Sequence, residues 1–222
     1  MYTNYSTSED VMKEFLIYGS ELTEHGFPML PKTFVVPDHT IDFSDSFNRN
    51  LKGHKNINVN FYIHDKAFQR IWNNPDKYLD HLKCFHSICG IDFTIDTQMP
   101  LVMQMWNKYR NMALDYYLIQ NGIDVIPNIN ILPYKGCEWI LEGFSVGGTV
   151  SCSTNGRVRS KKSREEFCQG FYEMCDIIKP NTVVMIGNMP DELSSPVPII
   201  NLKSRNQIMN SRIKGEFCGN NN

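Results

Sequence analysis

Several things are scarce in this chain of 222 residues. No apolar stretch approaches the ~18 residues that a membrane helix requires. No charge dominates: 22 Lys and Arg stand against 24 Asp and Glu, a formal charge of −2. No global field therefore draws the chain to nucleic acid or to a membrane, and any such attraction has to be local. Residues Met1 to Asp10 are polar and acidic and lack the cationic and apolar regions of a secretory signal, so a cytoplasmic location is expected. Seven cysteines, an odd number scattered along the chain, predict reduced thiols and not a disulfide framework. No internal repeat is present. No Gly-Lys-Ser/Thr phosphate loop occurs, and Gly143, Gly147, Gly148 and Gly156 match no dinucleotide-binding spacing.

What is present is an ordinary globular composition, 41% hydrophobic and 21% charged. One domain is the expectation for this length. Within it, residues 1–56 read as an N-terminal helix (Glu9 to Gly19) and an irregular segment. Residues 57–202 read as the core, and 203–222 as a basic, polar tail. From Ile57 to Ile63 apolar and polar residues alternate, the period of a half-buried strand. A helix capped by Asp65 follows, which Pro75 breaks or restarts. Ile91 to Ile95 is the next strand, Leu101 to Gln120 a long helix, and Ile123 to Leu132 a strand interrupted by Pro127. Gly148 to Ser153, Thr182 to Ile186 and residues 196–201 read as strands, with a helix from Ser163 to Lys179.

Strands alternating with helices predict an α/β fold with a largely parallel sheet. Two arrangements satisfy the pattern: an irregular (β/α) barrel-like one, slightly preferred, and an open doubly wound sheet. The preference rests on strand ends near 92–96, 127–130, 151–154 and 187–188, which all place polar residues where a shared mouth would lie.

The stretch from Gly143 to Phe167 points most clearly at a ligand. It joins a strand, the polar loop Ser153-Thr154-Asn155-Gly156, a run with five cationic side chains in eight residues (Arg157 to Arg164), and a helix start. Such a junction presents backbone N–H groups to an anion. Ser151, Ser153, Thr154, Asn155, Gly156, Arg157, Arg159, Lys161 and Lys162 are therefore candidate ligand-binding residues, with Asn128 on the same rim. The bland alternative is a solvated loop whose cations confer solubility.

Asp92 and Asp96, four residues apart at a strand end, are candidates for acid–base work, with Glu138 as a further partner. Their structural alternative is turn capping. Asn107 and Arg110, further candidate ligand-binding residues, share a helix face that would otherwise be apolar, either as the wall of a site or in a structural ion pair. Arg110 needs a partner there, and Asp92 or Asp96 would serve. His81, Cys84, His86 and Cys89 crowd into one short segment, an awkward geometry for tetrahedral zinc, so no metal site is expected. The sequence does not specify a cofactor.

Asn60-Phe-Tyr-Ile-His-Asp65, Gly90-Ile-Asp-Phe-Thr-Ile95 and Trp106-Asn-Lys-Tyr-Arg-Asn111 resemble a family of bacterial, phage and mobile-element proteins with a domain-of-unknown-function label. So do Gly122 to Pro127, Val150 to Gly156, Phe167 to Gly170 and Pro180 to Gly187, and the likeness spans about residues 57–190. The family usually has Pro where Ile91 stands and a second Arg where Met112 stands. The resemblance implies phage or mobile-element context and names no chemistry.

Three functions are compatible with these observations. The first is binding of a phosphate-bearing ligand, nucleic acid or nucleotide, in nucleic-acid processing or counter-defence. The second is a glycosidase- or phosphoesterase-like hydrolase using clustered carboxylates. The third is a non-catalytic inhibitor of a host protein.

Overall fold

A computed structural model describes residue 10, residues 12–48 and residues 56–213. Among them are seven strands, all paired in parallel: β1 (His39–Asp42), β2 (Ile57–Asn60), β3 (Ser87–Cys89), β4 (Val125–Ile126), β5 (Thr149–Ser153), β6 (Thr182–Ile186) and β7 (Ile199–Leu202). They form ladders β1-β2-β3-β4 and β5-β6-β7. A parallel bridge between Asn128 and Ser151 joins the two. Strands thus lie side by side in chain order, without reversal. No ladder joins β7 to β1 among the described residues, so the sheet stays open. The Arg205 side chain nevertheless reaches Asp45 at 3.2 Å, linking α5 (Arg205–Ile213) to the turn after β1.

Pro127 explains the junction. β4 ends at Ile126, beside a residue that has no N–H for a ladder. Pairing then passes to the other neighbour: Ser151 N–H donates to the Pro127 carbonyl, and Ile129 N–H donates to the Ser151 carbonyl.

Helices cover the outer face. α1 (Gln69–Asn73) and α2 (Asp76–Leu82) are separated at Pro75, as the sequence predicts. α3 (Leu101–Gln120) and α4 (Lys161–Ile178) are the long ones. Ile41, Val59, Ile88 and Val125 face one apolar cluster; Val150, Cys152, Val183 and Met185 face another.

The inner face differs from the sequence expectation. β2 is not half-buried, because Asn58 and Asn60 are buried as completely as Val59. Their amides are satisfied across the strands instead of by water. Asn60 Nδ2 donates to Thr40 Oγ1, Thr40 Oγ1 donates to Asn58 Oδ1, and Asn58 Nδ2 donates to Ser87 Oγ. The same inward polarity hides β1, whose Thr40 and Asp42 make it read as part of an irregular loop.

Three further expectations change. The N-terminal helix is a 3-10 turn, Glu14–Ile17, and Glu9 and Val11 of that prediction lie outside the described residues. Asp65 does not cap; the His64 ring accepts from Lys66 N–H there. Ile91 to Ile95 is not a strand and joins no ladder. Its main chain is held by a polar row on α3: Asp115 and Asn111 accept from Ile91 and Phe93 N–H, and Asn107 Nδ2 donates to the Thr94 carbonyl. Those residues sit four apart, one turn each, which explains the polar stripe on an otherwise apolar helix.

Candidate functional site

The ends of β2 and β5 and the segments after β3 and β4 surround a cleft. Gly90 allows the chain to pass there. A Cβ on it would lie 2.7 Å from the Asn128 nitrogen and 2.3 Å from Asp115 Oδ2. The cleft has two adjoining lobes. The narrower, about 360 Å³, is lined by Tyr62, His64, Asp92, Thr94, Asn128 and Asn130, among others. The wider, about 500 Å³, is lined by Asp96, Thr97, Gln98, Gly156, Ser163 and Glu166, among others. Ile131, Asn155 and Arg157 line both.

Asp92 anchors the narrow lobe. Its Oδ1 accepts from Asn128 Nδ2 at 2.7 Å and from Asn130 Nδ2 at 2.9 Å. Oδ2 has no hydrogen-bond partner among the described residues. Asn128 is itself oriented from behind, because its Oδ1 accepts from the buried Tyr62 hydroxyl at 3.0 Å. Burial raises the Asp92 pKa from 3.8 to about 6; the Asn128 bond, the Arg157 charge and the Asn130 bond oppose that rise, and Asp65 adds to it. The carboxyl therefore changes charge near neutral pH, the range in which acid–base groups operate.

Arg157 forms the shared wall. Gly187, at φ 114°, lets the loop before it pack closely: a Cβ there would lie 2.3 Å from Thr154 Oγ1. Arg157 Nη2 donates to the Ile95 carbonyl at 3.0 Å and Nη1 to the Ile131 carbonyl at 3.4 Å. These bonds position the guanidinium without neutralising it. No carboxylate forms a salt bridge with it among the described residues.

The remaining sequence candidates divide clearly. Ser153, Asn155, Gly156 and Asn128 line the cleft. Ser151 and Thr154 are buried just behind it, Ser151 Oγ lying 3.0 Å from the Tyr62 hydroxyl. Arg159 is exposed and lines neither lobe. Lys161 and Lys162, 82% and 86% exposed, line neither lobe; they pair with Glu165 and with Glu166, the latter at the rim of the wide lobe. Asn107 holds the 91–95 segment. Arg110 meets neither Asp92 nor Asp96. Its guanidinium lies 3.7 Å from the Phe93 ring centroid and donates to Gln69 and Asn107, and the carboxylate whose charge acts on it is Asp65.

The three candidate carboxylates are not gathered in one lobe. Asp92 lines the narrow lobe and Asp96 the wide one, where Asp96 Oδ1 accepts from Gln98 N–H in a turn. Glu138 lines neither and accepts from Gly136 N–H. Among the described residues no group of three or more His, Cys, Asp or Glu side chains is placed to hold a metal ion. Cys84 and Cys89 donate to Asp80 and Asn58, and His81 packs on Phe47.

Tyr62, His64, Thr94 and Asn130 escape the sequence reading. The signal for the first two is the alternation from Asn58 onward. It carries one face of β2 through Asn60 and Tyr62 to His64 at the mouth. No helix among the described residues is long and apolar enough to cross a membrane.

Comparison with known proteins gives the family. The domain of unknown function DUF4417 matches residues 20–203. The chain is similar to the Gene 1 protein of Mycobacterium phage L5, 28% identical over 180 residues that cover 81% of this chain and 78% of the phage protein. It is also similar to the Gene 1 protein of Mycobacterium phage D29, 24% identical over 189 residues that cover 84% and 70%. No solved structure matches significantly. With most of its length inside the matched region, the chain belongs to the DUF4417 family of domains of unknown function.

Proposed function

We propose that the cleft binds a small phosphate-bearing ligand of the nucleotide class, in the cytoplasm of a phage-infected or element-bearing cell. The observation that carries this reading is Arg157, a cation without an ion pair among the described residues, fixed by two carbonyls at the wall of both lobes. A guanidinium so held keeps donors for phosphate oxygens and loses little freedom on binding. The Asp92–Asn128–Asn130 group supplies directed acceptors and donors for the polar body of the ligand. Context agrees with the reading, since the similar proteins are encoded by phages. Use in nucleic-acid processing or in capture of a host signal would both fit such a site.

Titration calorimetry with inorganic phosphate and adenosine 5′-monophosphate tests it. Arg157→Gln is expected to weaken binding at least about tenfold, the scale of one charge-assisted pair. The triple change Arg159→Gln, Lys161→Gln and Lys162→Gln is expected to change it less than about threefold. No binding by wild type, or an effect of the triple variant alone, would overturn the reading.

A further inference from the structure

The two lobes meet at Arg157, and this junction restricts the ligand further. We infer that the cleft takes a compact dinucleotide, with its internal phosphodiester at Arg157 and one nucleoside in each lobe; the inference rests on the phosphate reading above. Each lobe alone, at about 360 and 500 Å³, has the size of a small-molecule site. A mononucleotide would leave one of them to solvent. Each lobe also offers an amide that can meet the polar edge of a base: Asn130 in the narrow one and the exposed Gln98 in the wide one.

Charge argues against a long strand. A polymer brings a phosphate with every residue and needs a cationic track. Among the described residues Arg157 is the one Lys or Arg that lines the lobes, and the wide lobe carries Asp96 and Glu166. Lys161 and Lys162 line neither lobe; Lys161 pairs with Glu165, and Lys162 with Glu166 at the rim of the wide lobe. One phosphodiester matches one guanidinium; many would meet carboxylates.

The experiment compares adenosine 5′-monophosphate, adenylyl-3′,5′-adenosine and a thymidylate 20-mer on the full chain by calorimetry. The dinucleoside monophosphate carries less charge than the mononucleotide, so any gain reports contacts in the second lobe. The expected result is binding about tenfold tighter than the mononucleotide. Thr97→Trp, an exposed position lining the wide lobe, is expected to remove that gain. Equal affinity of dinucleotide and mononucleotide would overturn the inference and leave the phosphate reading standing. Much tighter binding of the 20-mer, with a steep salt dependence, would overturn it in favour of a strand-binding groove. Failure of all three probes and of inorganic phosphate would overturn both.

Discussion

Asp92 carries the main electrostatic strain of the cleft. Its folded pKa, about 6, lies above the unfolded value of 3.8, so the folded state holds this proton more tightly. Ionisation therefore costs stability: nothing below about pH 4, progressively more up to about pH 6, and a constant amount above that. Allowing for solvent screening at a part-exposed carboxyl, the cost is about 1–2 kcal/mol. Asp92→Asn keeps an acceptor for Asn128 and Asn130 and removes the charge. Its melting temperature should exceed that of wild type at pH 7.5, and the difference should vanish near pH 4. Equal melting temperatures at both pH values would show that the carboxyl is not strained. Asp92 and Asn128 are legible in the sequence, because polar residues at strand ends are ordinary site candidates. Asn130 and Thr94 are not, because their role depends on how far each segment continues past its strand.

At the scale of elements, α4 and the strand ends are fitted at close quarters. Gly170 faces the Leu132 main chain, and a Cβ there would come within 2.3 Å of the Leu132 carbonyl oxygen. Backbone cannot rotate away as a flexible side chain does. Gly170→Ala should destabilise by about 2–3 kcal/mol, read by denaturant unfolding, and disturb the wide lobe that Leu132 lines. An unaltered midpoint would contradict this packing. At the other end of the contact, the Ser160 and Ser163 side chains reciprocally cap α4. Ser160→Ala should cost about 1 kcal/mol in the same measurement, and no loss would deny the cap a stabilising role. These helices are plain in the sequence from their periodicity and punctuation. β1 is not, for the same reason that β2 is misread as half-solvated. Alternating polar residues normally face water, and here they face a hydrogen-bonded interior. The 91–95 segment deceives differently. It has strand composition, but its hydrogen bonds go to Asn107, Asn111 and Asp115 of α3, a long-range pairing that no local pattern encodes.

At the scale of the molecule, we propose that the described residues form one cooperative unit. The two outer clusters meet at Tyr109 and Ile119 of α3, which pack against both. A single calorimetric unfolding transition is expected, and two resolved transitions would contradict it. Parallel strands in chain order bring the ends of β2 and β5 and the segments after β3 and β4 to one mouth, so the site draws on residues from Tyr62 to Phe167. The most direct test of that site is nuclear magnetic resonance of the side-chain N–H groups during addition of adenosine 5′-monophosphate at pH 6.5. Saturable shifts of Arg157 Nε–H and of the Asn128 and Asn130 amides, with Arg159, Lys161 and Lys162 unmoved, are the predicted result. Shifts confined to residues 159–162, or none at the cleft, would contradict the account.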